Sequence, residues 1–219
     1  MKLFLDSANL AEIDGALARG IACGVTTNPI LIKGEAEGGV ISRLRAIVEL
    51  LEKDGHDFPL SVQVMVRTPA EISRQARFLA DQLDYKSLVV KVPCGWESLR
   101  VIHELAAGGM QINATACMTV AQGLLAAQAG ARYVSFFAGK MSDAGLDPRQ
   151  VIAEAAPLVS EHGAELIAGS LRRAFDVTDF AQAGAHITTV PWRYFALLAE
   201  HPKTVEAVDL FAECFQPYQ

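Results

Sequence analysis

An α/β fold, a single-domain (β/α)8 barrel spanning residues 1–219, is what this sequence predicts, and three observations lead there. Short apolar runs of strand composition alternate with helical patterns about eight times along 219 residues, with no domain break between them. The first strand-to-helix turn reads Asp6-Ser7-Ala8-Asn9 and holds no glycine, which disfavours a dinucleotide-binding open sheet. A helix–glycine–strand joint also recurs about two βα units apart, as Ala127-Gln128-Ala129-Gly130-Ala131 and again as Ala181-Gln182-Ala183-Gly184-Ala185.

In order, the first strand covers residues 2–7, and Asn9 opens the helix that Gly20 closes. A short second strand over 24–27 is broken by Asn28-Pro29. Leu44, Ile47, Val48 and Leu51 recur at helical spacing and predict a helix over Val40–Lys53. The third strand spans 60–66. Thr68-Pro69-Ala70-Glu71 then starts a helix as a capping box with proline in its first turn, and this helix reaches Leu83. Strands over 88–92 and 111–116 enclose a helix over Trp96–Ala107, and a helix over 119–129 follows. The second half alternates in the same way: strand Tyr133–Phe137, helix Pro148–Glu161, strand 165–170, helix 178–183 and strand 186–190. Helices over 192–200 and about 204–216 close the chain, the latter apolar at Val208, Leu210, Phe211 and Phe215. That last helix either reaches a neighbouring subunit or covers the barrel's own base.

A formal charge of −6 speaks against bulk nucleic-acid or anionic-membrane binding, while leaving room for a local basic site. No apolar run approaches the ~18 residues of a membrane span, and no basic-then-apolar leader precedes the first strand, so the expected location is the cytoplasm. Cys23, Cys94, Cys117 and Cys214 are dispersed and read as reduced thiols. His56, His103, His162, His186 and His201 show no metal-site spacing, and neither a metal nor a cofactor is expected.

Chemistry in such a barrel collects at the C-terminal strand ends. Strand one ends at Asp6, strand two at Thr26, Thr27 and Asn28, and strand three carries Gln63. Strand five carries Asn113 and Thr115, strand six Ser135 and then Lys140, and strand seven Ser170 followed by Arg172 and Arg173. Strand eight offers Thr188 and Thr189. Asp6 taken alone reads as a helix cap, and Gln63 and Asn113 as core amides. It is their co-location that suggests a site.

Strand four holds the residue that looks out of place. Lys91 interrupts Leu88-Val89-Val90, in a run whose β-branched composition suits a strand buried on both faces. Burial of an isolated ammonium costs several kcal/mol, so the amine either snorkels to water or a carboxylate, or loses its proton and becomes a nucleophile toward ketones and aldehydes.

With these residues in place, the chain resembles the transaldolase family, in its short bacterial branch and the closely similar fructose-6-phosphate aldolases. The motifs that carry the resemblance are Leu5-Asp6-Ser7-Ala8-Asn9, Gly24-Val25-Thr26-Thr27-Asn28-Pro29, Val90-Lys91-Val92-Pro93, Asn113-Ala114-Thr115, Ser135-Phe136-Phe137-Ala138-Gly139-Lys140 and Ala168-Gly169-Ser170-Leu171-Arg172. The resemblance implies a TIM barrel with a Schiff-base lysine, Lys91, on strand four, Asp6 as the proton acceptor at the substrate's C4 hydroxyl, and Gln63 with Thr115 holding a catalytic water. It implies Asn28, Asn113 and Ser135 at the hydroxyls of the three-carbon unit, Thr27 and Phe137 among the other substrate-binding residues, and Lys140, Ser170 and Arg172 around a phosphate. Sugar phosphates are then the substrates, no nucleic acid or membrane is a partner, and a homo-oligomer (pentamer or decamer) is expected.

The departures divide. Gln63 follows the aldolases, whereas Phe137, Asn113 and Arg172 follow the transaldolases. Lys140 replaces a family arginine, and Gly95-Trp96-Glu97-Ser98 replaces the usual Thr-x-Glu-Gly turn, with Trp96 either a core staple, the preferred reading, or a residue lining the mouth. The leading expectation is a transaldolase of pentose-phosphate-type metabolism. The alternatives are an aldolase releasing or using free dihydroxyacetone, a relative acting on an unusual sugar, and a catalytically silent sugar-phosphate-binding barrel.

Overall fold

A computed structural model describes residues 1–35, 38–53, 55 and 57–214. Eight parallel strands close into a barrel in sequence order: β1 (Lys2–Asp6), β2 (Val25–Thr26), β3 (Leu60–Gln63), β4 (Leu88–Pro93), β5 (Gln111–Cys117), β6 (Tyr133–Phe137), β7 (Glu165–Gly169) and β8 (Ile187–Val190), with β8 pairing back on β1. The helices are α1 (Leu10–Ala18), α2 (Pro29–Glu35), α3 (Val40–Lys53), α4 (Pro69–Leu83), α5 (Trp96–Ala107), α6 (Val120–Gln128), α7 (Ala138–Asp143), α8 (Pro148–Glu161), α9 (Asp176–Gln182), α10 (Trp192–Ala199) and α11 (Pro202–Cys214).

Local chemistry explains most boundaries. Asn9 caps α1 by accepting from the amides of Ala11 (2.9 Å) and Glu12 (3.2 Å). At α4, the Glu71 carboxylate accepts from the Thr68 hydroxyl at 2.6 Å and its amide at 3.4 Å. Two helices depart from the sequence expectation. Asn28-Pro29 does not simply break the chain after β2: Asn28 Oδ1 accepts from the amides of Ile30 (3.0 Å) and Leu31 (3.1 Å) and so starts α2, with Pro29 as its first residue. The helix α7 begins directly after β6 and spans six residues, too few for a helical period to show. β3 is also shorter than expected, ending at Gln63, although the Val64 amide still donates to the Lys91 carbonyl at 3.0 Å.

The apolar residues divide into two cores. A large shell packs the outer face of the sheet against the helices, and a separate plug of Phe4, Val89, Tyr133, Ile167 and Ile187 fills the barrel interior. Phe4 and Tyr133 meet edge-on, with ring centroids 6.2 Å apart. Side chains alternate across a strand, so the next inward position lies two residues further on. Those positions are Asp6, Lys91, Ser135, Gly169 and Thr189, and together they end the plug and begin a cavity.

Three further expectations are settled. Trp96 is not a core residue, since it is 82% exposed. The terminal helix α11 buries none of its residues, so it does not cover the base of its own barrel, and expected helical residues 215–216 lie outside those described. Among the described residues no helix is long and apolar enough to cross a membrane.

Candidate active site

A cavity of about 380 Å³ opens at the C-terminal mouth of the barrel, and every strand supplies at least one wall residue or the residue that follows it. Of the residues expected from sequence, it gathers Asp6, Asn28, Gln63, Lys91, Thr115, Ser135, Phe137, Lys140 and Ser170. Thr26, Pro29, Ile30, Gly169 and Thr189 complete the lining.

Lys91 is 5% exposed, and its Nζ donates to the Thr27 carbonyl at 2.8 Å. Burial drives its pKa below the usual lysine value, and the nearby Asp6 carboxylate opposes that shift without cancelling it. A single carbonyl acceptor suits an amine better than an ammonium with three protons to place. The register puts Lys91 directly between Gln63 of β3 and Asn113 of β5.

Asp6 does not cap α1, a task Asn9 performs. Its Oδ1 instead accepts from Thr26 Oγ1 at 2.9 Å, and Thr26 Oγ1 lies 2.6 Å from Thr189 Oγ1. Burial pushes the Asp6 pKa upward, while the Lys91 charge and then the Thr26 hydroxyl hold it back. A carboxyl of raised pKa thus faces an amine of lowered pKa, an arrangement typical of acid–base and nucleophilic sites.

β5 is irregular where it meets the cavity. Its register on β6 shifts between Ala114 and Cys117, and Ala116 takes a φ of 63°. Beside this bulge, Thr115 Oγ1 is the one buried side-chain polar atom among the described residues with no hydrogen-bond partner. Such a group costs ~1–3 kcal/mol. Thr115 and Lys91 line the same cavity.

A second cluster lies at the end of β7. Ser170 has a φ of 63°, an uncommon conformation for a residue with a side chain, and it lines the cavity beside Lys140. The Arg172 Nη1 donates to the Ser170 carbonyl (3.0 Å) and hydroxyl (3.2 Å). Its Nε and Nη2 grip Asp143 of α7 at 3.1 and 2.6 Å, and Lys140 Nζ stands 3.8 Å from the same carboxylate. The Asp143 pKa is lowered by these Arg172 hydrogen bonds before all else. Gly139 permits the assembly: a Cβ there would lie 1.8 Å from the Ser170 carbonyl oxygen.

Three expected residues stand behind the cavity wall rather than on it. The Thr27 hydroxyl donates to the Ser61 carbonyl at 2.9 Å, so its contribution to the site is the backbone oxygen that receives Lys91. Asn113 is fully buried, accepting from Ser135 Oγ at 2.7 Å and donating to Ser61 Oγ at 3.4 Å. Arg172 reaches the site through Ser170. Asn28 is on the wall, but its Oδ1 is committed to α2, leaving its Nδ2 as the atom to offer a ligand. Thr26 and Thr189 were named at their strand ends but given no role, and Asp143 was not named at all. The first two fall at inward strand positions, so strand alternation was the signal that identified them, whereas Asp143 gave none. The Cys94 thiol donates to the Gln122 carbonyl at 3.8 Å and the Cys117 thiol to the Ala114 carbonyl at 3.9 Å.

The sequence was compared with known proteins. Residues 3–217 match the family model described as Transaldolase/Fructose-6-phosphate aldolase. The chain is 39% identical over 215 residues to a protein of Streptococcus equi subsp. zooepidemicus named "Probable transaldolase", covering 97% of each chain. It is 37% identical over 213 residues to a "Probable transaldolase" of Dehalococcoides mccartyi, covering 96% of each. A "Probable transaldolase 2" of Listeria monocytogenes is 36% identical over 222 residues, covering 100% of this chain and 97% of that one.

Proposed function

The chain belongs to the transaldolase/fructose-6-phosphate aldolase family and is an enzyme of that kind, and from that premise we propose that it transfers a dihydroxyacetone unit between sugar phosphates through a Schiff base on Lys91. The observation that carries this reading is the buried Lys91 amine, held by one carbonyl and facing Asp6 across the cavity.

Lys91 Nζ adds to the C2 carbonyl of a ketose phosphate such as fructose 6-phosphate or sedoheptulose 7-phosphate, and the carbinolamine loses water to give an iminium. Asp6 takes the proton of the C4 hydroxyl as the C3–C4 bond breaks. The bond's electrons pass to the iminium, which becomes an enamine, and an aldose phosphate departs. Attack of the enamine on an acceptor aldose phosphate, followed by hydrolysis of the imine, completes the transfer and restores the amine. Thr115, with its unpartnered hydroxyl, and Gln63 hold the water that carries protons to and from the nitrogen. Ser135, positioned by Asn113, and Asn28 Nδ2 bind the hydroxyls of the three-carbon unit, and Phe137 walls it. Ser170, Lys140 and Arg172 receive the phosphate, with Arg172 aligned by Asp143.

Gln63 on the cavity wall favours a second reading: an aldolase that releases free dihydroxyacetone or joins it to an aldehyde, as the resemblance of this position to the aldolases implies. A two-substrate assay separates them. Product formed only when an acceptor aldose phosphate is supplied supports transfer; dihydroxyacetone released without an acceptor supports the aldolase. An unusual sugar substrate, which the exposed Trp96 and the Lys140 replacement would suit, shows as weak turnover of fructose 6-phosphate in both arms.

The same proposal includes a cytoplasmic homo-oligomer, pentamer or decamer. Val205, Val208, Leu210 and Phe211 on α11 are each 57–63% exposed, a surface that a neighbouring copy would cover.

A further inference from the structure

We propose that Thr189 and Thr26 form a two-hydroxyl relay that orients Asp6 and favours its carboxylate form, with Thr189 as a positioning residue acting from β8 on a proton acceptor of β1. This rests on the reading of Asp6 as the base of a lysine-dependent aldol cleavage.

The direction of the relay follows from counting protons. Thr26 Oγ1 has one proton, and it goes to Asp6 Oδ1 at 2.9 Å. The 2.6 Å contact between Thr26 and Thr189 must therefore use the Thr189 proton. The chain runs Thr189 to Thr26 to Asp6, and each hydroxyl proton finds an acceptor only while Oδ1 is available to receive. Donors in series polarise one another, so the second hydroxyl strengthens the first. Both threonines are enclosed, Thr26 at 1% and Thr189 at 7% exposure, where such bonds are worth more than in water.

Two consequences favour catalysis. Oδ1 already accepts one hydrogen bond, which leaves Oδ2 as the less committed oxygen and favours it as the atom that receives the substrate proton. The relay also works against the burial that would otherwise keep Asp6 protonated. Lys91 from β4 is the charged group that acts on Asp6, Lys140 from α7 shares the cavity, and β2 and β8 present only Thr26 and Thr189. Removing the Thr26 hydroxyl thus leaves Lys91 as the one remaining support of the carboxylate, whereas removing that of Thr189 keeps the Thr26 bond and only weakens it.

The test is the pH–rate profile of ketose phosphate cleavage for the wild type, Thr189→Val, Thr189→Ser, Thr26→Val and Thr188→Val, with borohydride trapping of each protein beside it. Thr188 is the control, because alternation turns it to the other face of β8. For Thr189→Val the acid limb of kcat/KM moves up by about half a pH unit and kcat falls roughly threefold to tenfold, with KM within about twofold. Thr26→Val moves the limb by about one unit. Thr189→Ser restores the wild-type limb, and Thr188→Val leaves it in place. An acid limb that stays put in Thr189→Val and Thr26→Val, while both still form the adduct, overturns the relay and spares the Schiff-base reading. A wild type that forms no adduct overturns that reading, and the relay with it.

Discussion

Replacement of Lys91 by methionine should make the protein more stable at neutral pH while abolishing its activity. Methionine keeps an unbranched side chain, one heavy atom shorter, and removes the buried amine, whose effective desolvation cost is several kcal/mol. Against this stands the loss of the 2.8 Å bond to the Thr27 carbonyl, which is then left with an unmet acceptor at a cost of ~1–3 kcal/mol. The balance favours the variant by about 1–3 kcal/mol at pH 7. The pH dependence identifies the cause. A lysine pKa lowered by folding means that the native state binds fewer protons than the unfolded chain between that lowered pKa and 10.5. Wild-type stability therefore climbs with pH through this window, and Lys91→Met lacks the climb. Urea unfolding from pH 6 to 10.5 reads both terms. A variant less stable than the wild type at pH 7, or two stability curves that run parallel, would show Lys91 to be a well-solvated or well-paired cation. The nucleophile would then have to be sought elsewhere.

Other expectations follow from the same geometry. Thr115→Val replaces the hydroxyl proposed to hold the water with an isosteric apolar group, so it should cut kcat by roughly 10²-fold while leaving stability within about 1 kcal/mol; urea unfolding and turnover measured on one preparation check the pair. Gly139→Ala forces a Cβ against the Ser170 backbone at 1.8 Å, and the strand end has to yield at a cost of ~1–3 kcal/mol. KM should rise for a phosphorylated ketose and change little for its unphosphorylated counterpart, which steady-state kinetics on the two substrates will show. Phe211→Asp on α11 should shift the mass seen by light scattering toward the single chain while leaving the barrel's circular dichroism unchanged; an unaltered mass would put the subunit contacts elsewhere.

The barrel was readable because its strands and helices are periodic and well punctuated. Val40–Lys53, Trp96–Ala107 and Pro148–Glu161 begin and end where the sequence places them, since apolar spacing and terminal residues agree. α2 and α7 escaped for lack of length: seven and six residues bury too little to leave a pattern, and Asn28-Pro29 signals a break and a helix start equally well. The site was legible through alternation. Phe4, Val89, Tyr133, Ile167 and Ile187 face inward, so the residues two further along each strand must face inward too, and a slip of one residue would have turned Asp6 and Lys91 outward. Contacts between side chains from distant strands were not legible. No spacing in the sequence says that Asp143 closes on Arg172, that Thr189 reaches Thr26, or that the Thr27 hydroxyl turns away to Ser61. Trp96 was misread because an apolar aromatic at a helix start looks the same whether it packs inward or stands in solvent.

The central claim is that the Lys91 amine condenses with a sugar ketone. Incubation with fructose 6-phosphate and borohydride, followed by intact-mass measurement and peptide mapping, tests it directly. The account predicts one reduced sugar adduct per chain, located on Lys91 and absent from Lys91→Met. An unchanged mass, or an adduct on another lysine, would contradict it.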